Sequence, residues 1–521
     1  MILNRALIGL FLAAIGLGMA VRLIPLVSDP SVLTQIFVTE DGYLLLTVAR
    51  NLALGNGLSV AEGTIATNGI QPLATFLYAL PYLATGGDKV AGLWGVMALA
   101  VLISAAVTWA VWRFAFRALA VVPGEGGALP LLTAALWVAG PLLLLHAMNG
   151  LETGLYTLMV LCTVLYAGHL FQRREGFSWG DRIVLGLLLG LVFLARNDGA
   201  FLVAALLGTR FVQRLISGGL VRGLSDVVPP GLLSLAIAAP WLAYNYTLTG
   251  SIIPISGQAQ SLKAGFADNL ALSPVKLFET MFPMLPLPGS VEAIPLVPPI
   301  AGAVVAVIAL AYLLRRLSVA DGYRWAVLAY ALYGCAIFAY YSLFFGAPHF
   351  LSRYFAPMAP LLIAAAVWVG RDLMGLVLGA ERRGLAMGFI GGMALCLAMA
   401  LTVRQVLPGV RSHGHFQVVE WVEDNIARED WVAAVQTGTL GYWHDRTINL
   451  DGKVNPAALA ARKADGHIFN YVVDSEIVAI ADWIGVAKWA DSEKAGFKTV
   501  FGLEVADRDR NLAVLLRREA R

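Results

Sequence analysis

The chain is poor in charge. Only 14% of its 521 residues are Asp, Glu, Lys or Arg, against about 25% in average soluble proteins. With 59% hydrophobic residues and a mean hydropathy of +0.73, this excludes an ordinary soluble protein and indicates a polytopic membrane protein. The net charge of +3 lacks the basic excess of a nucleic-acid partner. Cysteine is scarce: Cys162, Cys335 and Cys396 all lie inside apolar runs, with no paired or metal-type spacing. A disulfide framework and a structural zinc are therefore excluded. No phosphate-loop motif is present, so no ATP site is implied. No low-complexity segment is visible. No internal repeat is visible either, which weighs against transporter folds built from repeated halves.

What the chain has in abundance is apolar runs. A membrane helix needs about 20 mostly apolar residues. That rule predicts about eleven spans, near 5–27, 90–115, 129–147, 151–171, 182–196, 198–215, 229–248, 294–316, 324–345, 354–376 and 384–405. The pair 182–196 and 198–215 is short for the roughly 30 Å hydrocarbon layer. The first run follows Asn4-Arg5 and is longer than a signal-peptide core, so it reads as an uncleaved span. Segment 72–85 is short and interrupted by Pro81, which fits an interfacial or half-inserted helix.

The basic residues fall in alternate loops. Arg5, Arg113, Arg117, Arg173, Arg174, Arg182, Arg210, Arg214, Arg222, Arg315, Arg316, Arg324, Arg371, Arg382 and Arg383 form one set. The positive-inside rule places that set in the cytoplasm. The opposite set is then extracytoplasmic: 28–89, 149–150, the turn at 196–197, 249–293, 346–353 and everything after 404. The N-terminus is predicted inside and the C-terminus outside, in a multi-pass inner (plasma) membrane protein.

After residue 404 the chain becomes charged and has no membrane-length apolar run. Helical spacing at 413–426 and 455–464 alternates with short strand-like runs at 431–435, 447–450, 477–480 and 511–516. This predicts a small α/β unit. Two domains are expected: a membrane domain over 1–406, with an extracytoplasmic loop at 28–89, and a soluble extracytoplasmic α/β domain over 407–521. The fold class is a mainly α membrane protein.

Several polar groups stand where the apolar chain should exclude them, since desolvating an ionised carboxylate is costly. Glu40 and Asp41 open a helix-like run that continues through Tyr43, Arg50 and Asn51 to Gly55. They read either as a catalytic base, with or without a metal between them, or as helix caps around Gly42. Asn68 and Gln71, in Thr67-Asn68-Gly69-Ile70-Gln71-Pro72, read as hydrogen-bonding groups for sugar hydroxyls or as a turn before a proline-led helix. Glu152 opens a span and is a functional candidate by default, or else satisfies helix amides. Arg196 and Asp198 pair with each other or line a cavity with the acidic pair. Lys263 and His349 are cationic candidates beside the membrane. Arg353 stands at an outer boundary where its guanidinium fork suits a phosphate, or it snorkels. In the C-terminal unit, 436–442 and 449–455 read as polar loops after strands, either ordinary α/β turns or ligand contacts.

The order of these motifs resembles polytopic glycosyltransferases of the GT-C class. The motifs are an acidic pair after the first span, Thr67-Asn68-Gly69-x-Gln71-Pro72, Gly150-x-Glu152-Thr153, Arg196-x-Asp198-Gly199 and Arg353-Tyr354-x-x-Pro357. Glu40-Asp41-Gly42-Tyr43 with Ala49-Arg50-Asn51 also resembles the matching stretch of cell-wall arabinosyltransferases. Two departures are visible. Arg196-Asn197-Asp198 stands where the family usually shows Arg-Pro-Asp, and Glu40 stands where relatives often carry aspartate.

The resemblance implies a GT-C-like bundle and transfer of a sugar from a polyprenyl-phosphate donor to an acceptor hydroxyl on a glycan, lipid or protein. It implies Asp41 as base, Glu40 as its metal or substrate partner, and Arg353, His349 and Lys263 as donor-phosphate ligands. Tyr43, Arg50, Asn68, Gln71, Glu152, Arg196 and Asp198 are implied substrate-binding or supporting residues. A single displacement would invert the anomeric carbon. No cofactor is demanded, while Glu40 and Asp41 leave a divalent cation (Mg, Mn or Ca) open. The competing class is a secondary transporter or lipid flippase with an outer accessory domain. That class expects acidic residues at mid-span, whereas these cluster at span ends.

Overall fold

The computed structural model describes residues 2–119, 128–173, 176–262, 264–407 and 415–518. Among these, nine helices are long and apolar enough to cross a membrane: Arg5–Val27, Lys89–Ala118, Thr153–Phe171, Asn197–Gly218, Leu220–Thr249, Val297–Ser318, Tyr323–Leu343, Pro348–Gly379 and Arg382–Val406. Helices Ala128–Ala139 and Pro141–Met148 together make a tenth, bent by 65°. The break falls at Gly140-Pro141, where proline opens the second helix as its first residue. The helix Trp179–Ala195 has only 17 residues, or about 25 Å. It covers the expected span 182–196 but falls short of a full crossing length. It stops because Arg196 leaves the helix for extended backbone (φ −159°). The last two spans separate at Gly379, whose positive φ of 78° suits glycine.

Most of the membrane helices share one core, while Leu220–Thr249 packs outside it against Trp179–Ala195 and Ala200–Gly218. On Lys89–Ala118 the fully buried residues Leu93, Met97, Ala100, Val107, Val111 and Phe114 recur at helical spacing. They face the helices Ala128–Ala139 and Thr153–Phe171. The short helix Pro72–Ala84 buries Ala74, Tyr78 and Tyr82 and packs between Glu40–Ala53 and Lys89–Ala118. The long segment 249–293, read as a loop, contains helices Ile255–Ser261, Ser273–Met281 and Gly289–Glu292. Their apolar positions were masked by the surrounding prolines.

The C-terminal region is a five-stranded sheet between helices. The strand order is Thr447–Asn449, Val432–Ala434, Ala479–Asp482, Leu512–Arg517, Phe501–Asp507. Val432 lies opposite Thr447 and Ala479 in parallel pairs, and Ala479 opposite Leu516 in an antiparallel one. Residues alternate between two cores with the period of two that a strand imposes. Val432, Ala434, Ala479, Ala481 and Val514 pack with Val418 and Val422 of helix Phe416–Asn425. Ala433, Ile480 and Leu515 pack on the other face with Ala458, Val472 and Phe497. Burial on both faces is why these strands are continuously apolar.

The four expected strands and the helix Pro456–Asp465 are present. Residues 413–414 of the other expected helix lie outside the described residues. Several elements differ from expectation, among them the short helices Phe469–Val473 and Phe497–Val500. Phe501–Asp507 is an additional edge strand, hidden in the sequence by Glu504 and Asp507. The stretch read as a polar loop at 436–442 holds the helix Gly438–Trp443.

Candidate active site

The helix Glu40–Ala53 starts with Thr39 as its cap, whose Oγ1 accepts from the Gly42 amide at 3.2 Å. The cap and the two acids in the first turn both favour the positive helix end. The capping role falls to the Thr39 side chain and not to Asp41. Successive helical residues lie about 100° apart, so Glu40 and Asp41 point to different places.

Glu40 points into the C-terminal region. Its carboxylate accepts from the Gly438 amide at 2.9 Å, from the Thr439 amide at 3.2 Å and from the Thr439 hydroxyl. His415 Nδ1 stands 3.4 Å away, and His415 Nε2 stands 3.4 Å from Asp482. Gly438 is obligatory here, because a Cβ would come within 1.8 Å of the Glu40 carbonyl oxygen. Burial pushes the Asp482 carboxyl up to about 6, while His415 and the amides of Trp483, Gln436 and Val435 oppose that rise. Tyr43 and Arg50 belong to the same junction. Tyr43 is buried against Tyr442, with ring centroids 5.1 Å apart. Arg50 pairs with Asp445 at 3.0 Å, as Lys89 does at 3.2 Å. Glu40, Tyr43 and Arg50 thus make contacts with the C-terminal region and are not among the residues that line the cavity beside Asp41.

Asp41 points into a cavity of about 400 Å³. The cavity is walled by helix Glu40–Ala53, Gly69–Gln71, Leu151-Glu152, Arg196–Asp198, the 252–260 segment, Tyr340-Tyr341 and Arg353-Tyr354, with Lys453 entering from the C-terminal region. Asp41 Oδ2 accepts from Arg353 at 3.2 Å, and Oδ1 from Lys453 at 3.3 Å. Burial raises the Asp41 carboxyl, but the charges and hydrogen bonds of Lys453 and Arg353 outweigh it and hold the group below the usual carboxylate range. Arg353 also donates to Tyr354 Oη at 3.2 Å and lies 4.5 Å from the Phe350 ring.

A second ion cluster shares the cavity. Arg196 pairs with Asp198 and lies 3.9 Å from Glu152. Tyr341 donates to Asp198 at 2.7 Å. The Tyr341 and Tyr354 rings stack at 4.0 Å, and Tyr354 stands between the guanidiniums of Arg196 (4.9 Å) and Arg353 (5.1 Å). Both readings of Arg196 and Asp198 hold together: they pair, and they line the cavity. Gln71 Oε1, Arg196 Nη1 and Arg353 Nε are buried without a hydrogen-bond partner. Such atoms are costly unless something else meets them.

The remaining candidates separate. Gln71 and Glu152 line the cavity. Asn68 is buried behind it, where its Oδ1 accepts from the Ile255 amide at 3.1 Å. His349 is exposed against Phe350, with ring centroids 4.0 Å apart, and is not among the cavity-lining residues. Lys263 lies outside the described residues. Lys453 lies in the 449–455 stretch that reads as either an ordinary turn or a ligand contact, but the sequence does not single it out as a site residue. Nor does it mark Gly438 and Thr439 as the clasp on Glu40. The signal available was a lysine beside Asp451 in a loop that follows a strand.

A divalent cation does not suit the acidic pair. The Glu40 oxygens are taken by the Gly438 and Thr439 donors, and Asp41 faces two cations. Among the described residues no group of three or more His, Cys, Asp or Glu side chains is placed to hold a metal ion.

Residues 405–512 match a family model described as a domain of unknown function, DUF8728. No curated protein matches the chain. Solved structures do. ArnT from Cupriavidus metallidurans bound to undecaprenyl phosphate matches with TM-score 0.62 and 13% identity over 98% of each chain. The oligosaccharyltransferase AglB from Archaeoglobus fulgidus, in complex with an inhibitory peptide and a dolichol-phosphate, matches with TM-score 0.55 and 10% identity over 95% of this chain and 72% of that one. An A. fulgidus oligosaccharyltransferase in complex with Zn and sulfate matches with TM-score 0.59 and 12% identity over 95% and 71%. The chain therefore has the fold of the GT-C class of polyprenyl-phosphate-dependent glycosyltransferases.

Proposed function

We propose that the chain is a membrane glycosyltransferase that moves a sugar from a polyprenyl-phosphate donor to an acceptor hydroxyl on the extracytoplasmic side, with inversion. The observation that carries this reading is Asp41, a carboxylate facing a 400 Å³ cavity beside cationic Arg353. The likeness in fold to ArnT bound to undecaprenyl phosphate and to AglB with dolichol-phosphate supports the donor class. In this reading residues 1–406 form the membrane unit and 407–521 an outer unit that closes over the cavity.

Asp41 takes the proton of the acceptor hydroxyl. The acceptor oxygen forms a bond to the anomeric carbon. The bond from that carbon to the phosphate oxygen breaks, and its electron pair leaves with polyprenyl phosphate. Arg353 stabilises the charge that develops on the leaving phosphate, because a guanidinium donates two parallel hydrogen bonds to it. Gln71, Glu152 and the Arg196–Asp198 pair face the space where the sugar would sit, and the unpartnered Gln71 Oε1, Arg196 Nη1 and Asp198 Oδ1 suit its hydroxyls.

The test is incubation of purified protein with a panel of polyprenyl-phosphate sugars, with mass-spectrometric detection of released polyprenyl phosphate. Release with at least one donor is expected. No release across the panel and a range of acceptors would count against the reading. Arg353→Ala should raise the donor KM about tenfold; an unchanged donor KM and rate would remove Arg353 from the phosphate site.

A further inference from the structure

Lys453 is held at the cavity rim by its own loop. Its amide donates to Asp451 Oδ1 at 2.8 Å, and the Gly452 amide donates to Asn449 Oδ1 at 2.9 Å. Asn449 is itself tied to Thr437 at 2.8 Å. The loop also presses on the membrane region: a Cβ at Gly69 would come within 1.9 Å of the Lys453 carbonyl oxygen. The backbone is thereby fixed, and the long side chain carries its ammonium to 3.3 Å from Asp41 and 3.4 Å from Asp451. Arg353 flanks the same carboxylate from the other side at 3.2 Å. Two cations thus share one carboxylate at the edge of an open cavity.

We propose that Lys453 is a donor-phosphate ligand supplied by the C-terminal region, and that donor binding draws Lys453 and Arg353 off Asp41 and so releases Asp41 as the base. This rests on the glycosyltransferase reading above. The charge balance of the transfer explains why one pair of cations serves both groups. Asp41 loses one negative charge when it takes the acceptor proton. The phosphate gains one negative charge when the anomeric carbon–oxygen bond breaks. Cations adjacent to both groups follow the charge from one to the other, so they stabilise the transition state more than the ground state. Before donor arrives, the same ion pairs keep Asp41 a poor base, because opposite charges favour its ionised form. The cavity then holds no active base without a donor in place.

The experiment measures binding of a C55 polyprenyl monophosphate, and of the polyprenol lacking the phosphate, to the full chain in detergent. Wild type is expected to prefer the phosphate form. Lys453→Met should weaken phosphate binding at least tenfold, and Lys453→Arg should restore it to within about threefold, with polyprenol binding unchanged in both. Asp41→Asn should bind the phosphate several-fold more tightly, because it removes the competing carboxylate. This arm also stands alone where Lys453→Met does not fold. In turnover assays the acid limb of kcat/KM should lie at higher pH in Lys453→Met than in wild type; a purely structural lysine would leave it in place. Wild type that does not distinguish phosphate from polyprenol overturns the glycosyltransferase reading and this inference with it. Wild type that prefers phosphate, with Lys453→Met equal to it or Asp41→Asn no tighter, overturns this inference alone.

Discussion

Each end of the membrane region holds a carboxylate between two cationic side chains, and the two sites differ in access. Asp226 pairs with Arg210 at 2.6 Å and Arg214 at 3.1 Å, and also accepts from the Phe177 amide at 3.0 Å. Its side chain is 0% exposed. Phe177 covers the Arg210 guanidinium at 4.1 Å. Asp41 has the same two-cation arrangement but is 18% exposed and opens onto a cavity. The same ion-pair chemistry is a structural tie where every oxygen is occupied and sealed. At Asp41 the same pairing leaves open space beside the carboxylate. A buried ion pair is therefore no evidence of function by itself.

The comparison can be broken from either end. Asp226→Ala should cost the largest stability, about 3–5 kcal/mol, because it removes the buried carboxylate that two buried arginines share. The loss should show as a lower melting temperature, while the surviving folded fraction transfers sugar at near wild-type rate. An Asp226 variant that melts like wild type would mean the tie is not structural. Asp41→Asn should do the reverse. Turnover is expected to fall about a thousandfold, within the range that general base catalysis contributes, with little change in melting temperature. Retention of more than a tenth of the activity would remove Asp41 as the base.

A pH titration sharpens the junction beside Asp41. Asp482, with His415 and Glu40 in line behind it, has a folded value of about 6, above the ordinary carboxyl value. A raised carboxyl means that folding favours the protonated form. Its contribution is full below about pH 4 and is lost as pH rises through about 6, by at most about 3 kcal/mol. The stability of the C-terminal region should fall across that window, and Asp482→Asn should flatten the fall; an identical profile in the variant would contradict the assignment. The smallest effect is expected for Glu40→Gln, about 1–2 kcal/mol of docking free energy, from weakened bonds to the Gly438 and Thr439 donors. Hydrogen exchange at Gly438–Trp443 should speed up, with transfer reduced but not abolished. Unchanged exchange there would separate Glu40 from the docking of the C-terminal region.

Much of this protein was legible in its amino acids. Apolar length marked the membrane helices, because the hydrocarbon layer sets a minimum run that local composition records. Two-sided strands such as Val432–Ala434 and Ala479–Asp482 were legible because burial on both faces leaves a continuous apolar run. Asp41 and Arg353 were legible as charges in places where desolvation makes idle charge expensive. The edge strand Phe501–Asp507 was hidden by its charges, whereas the helix Trp179–Ala195 and the turn at 196–197 that ends it were legible as a short apolar run broken by polar residues.

What only the tertiary structure decided is the division of labour within the acidic pair and the source of the second cation. In sequence Glu40 and Asp41 are neighbours of like chemistry. A helix turns them roughly 100° apart, so Glu40 closes onto Gly438 and Thr439 while Asp41 meets Arg353 and Lys453. Lys453 stands 412 positions away from Asp41 along the chain. No local pattern encodes a partner at that separation. It becomes visible only when the C-terminal sheet docks on the membrane helices and leaves no room for a side chain at Gly69 or Gly438.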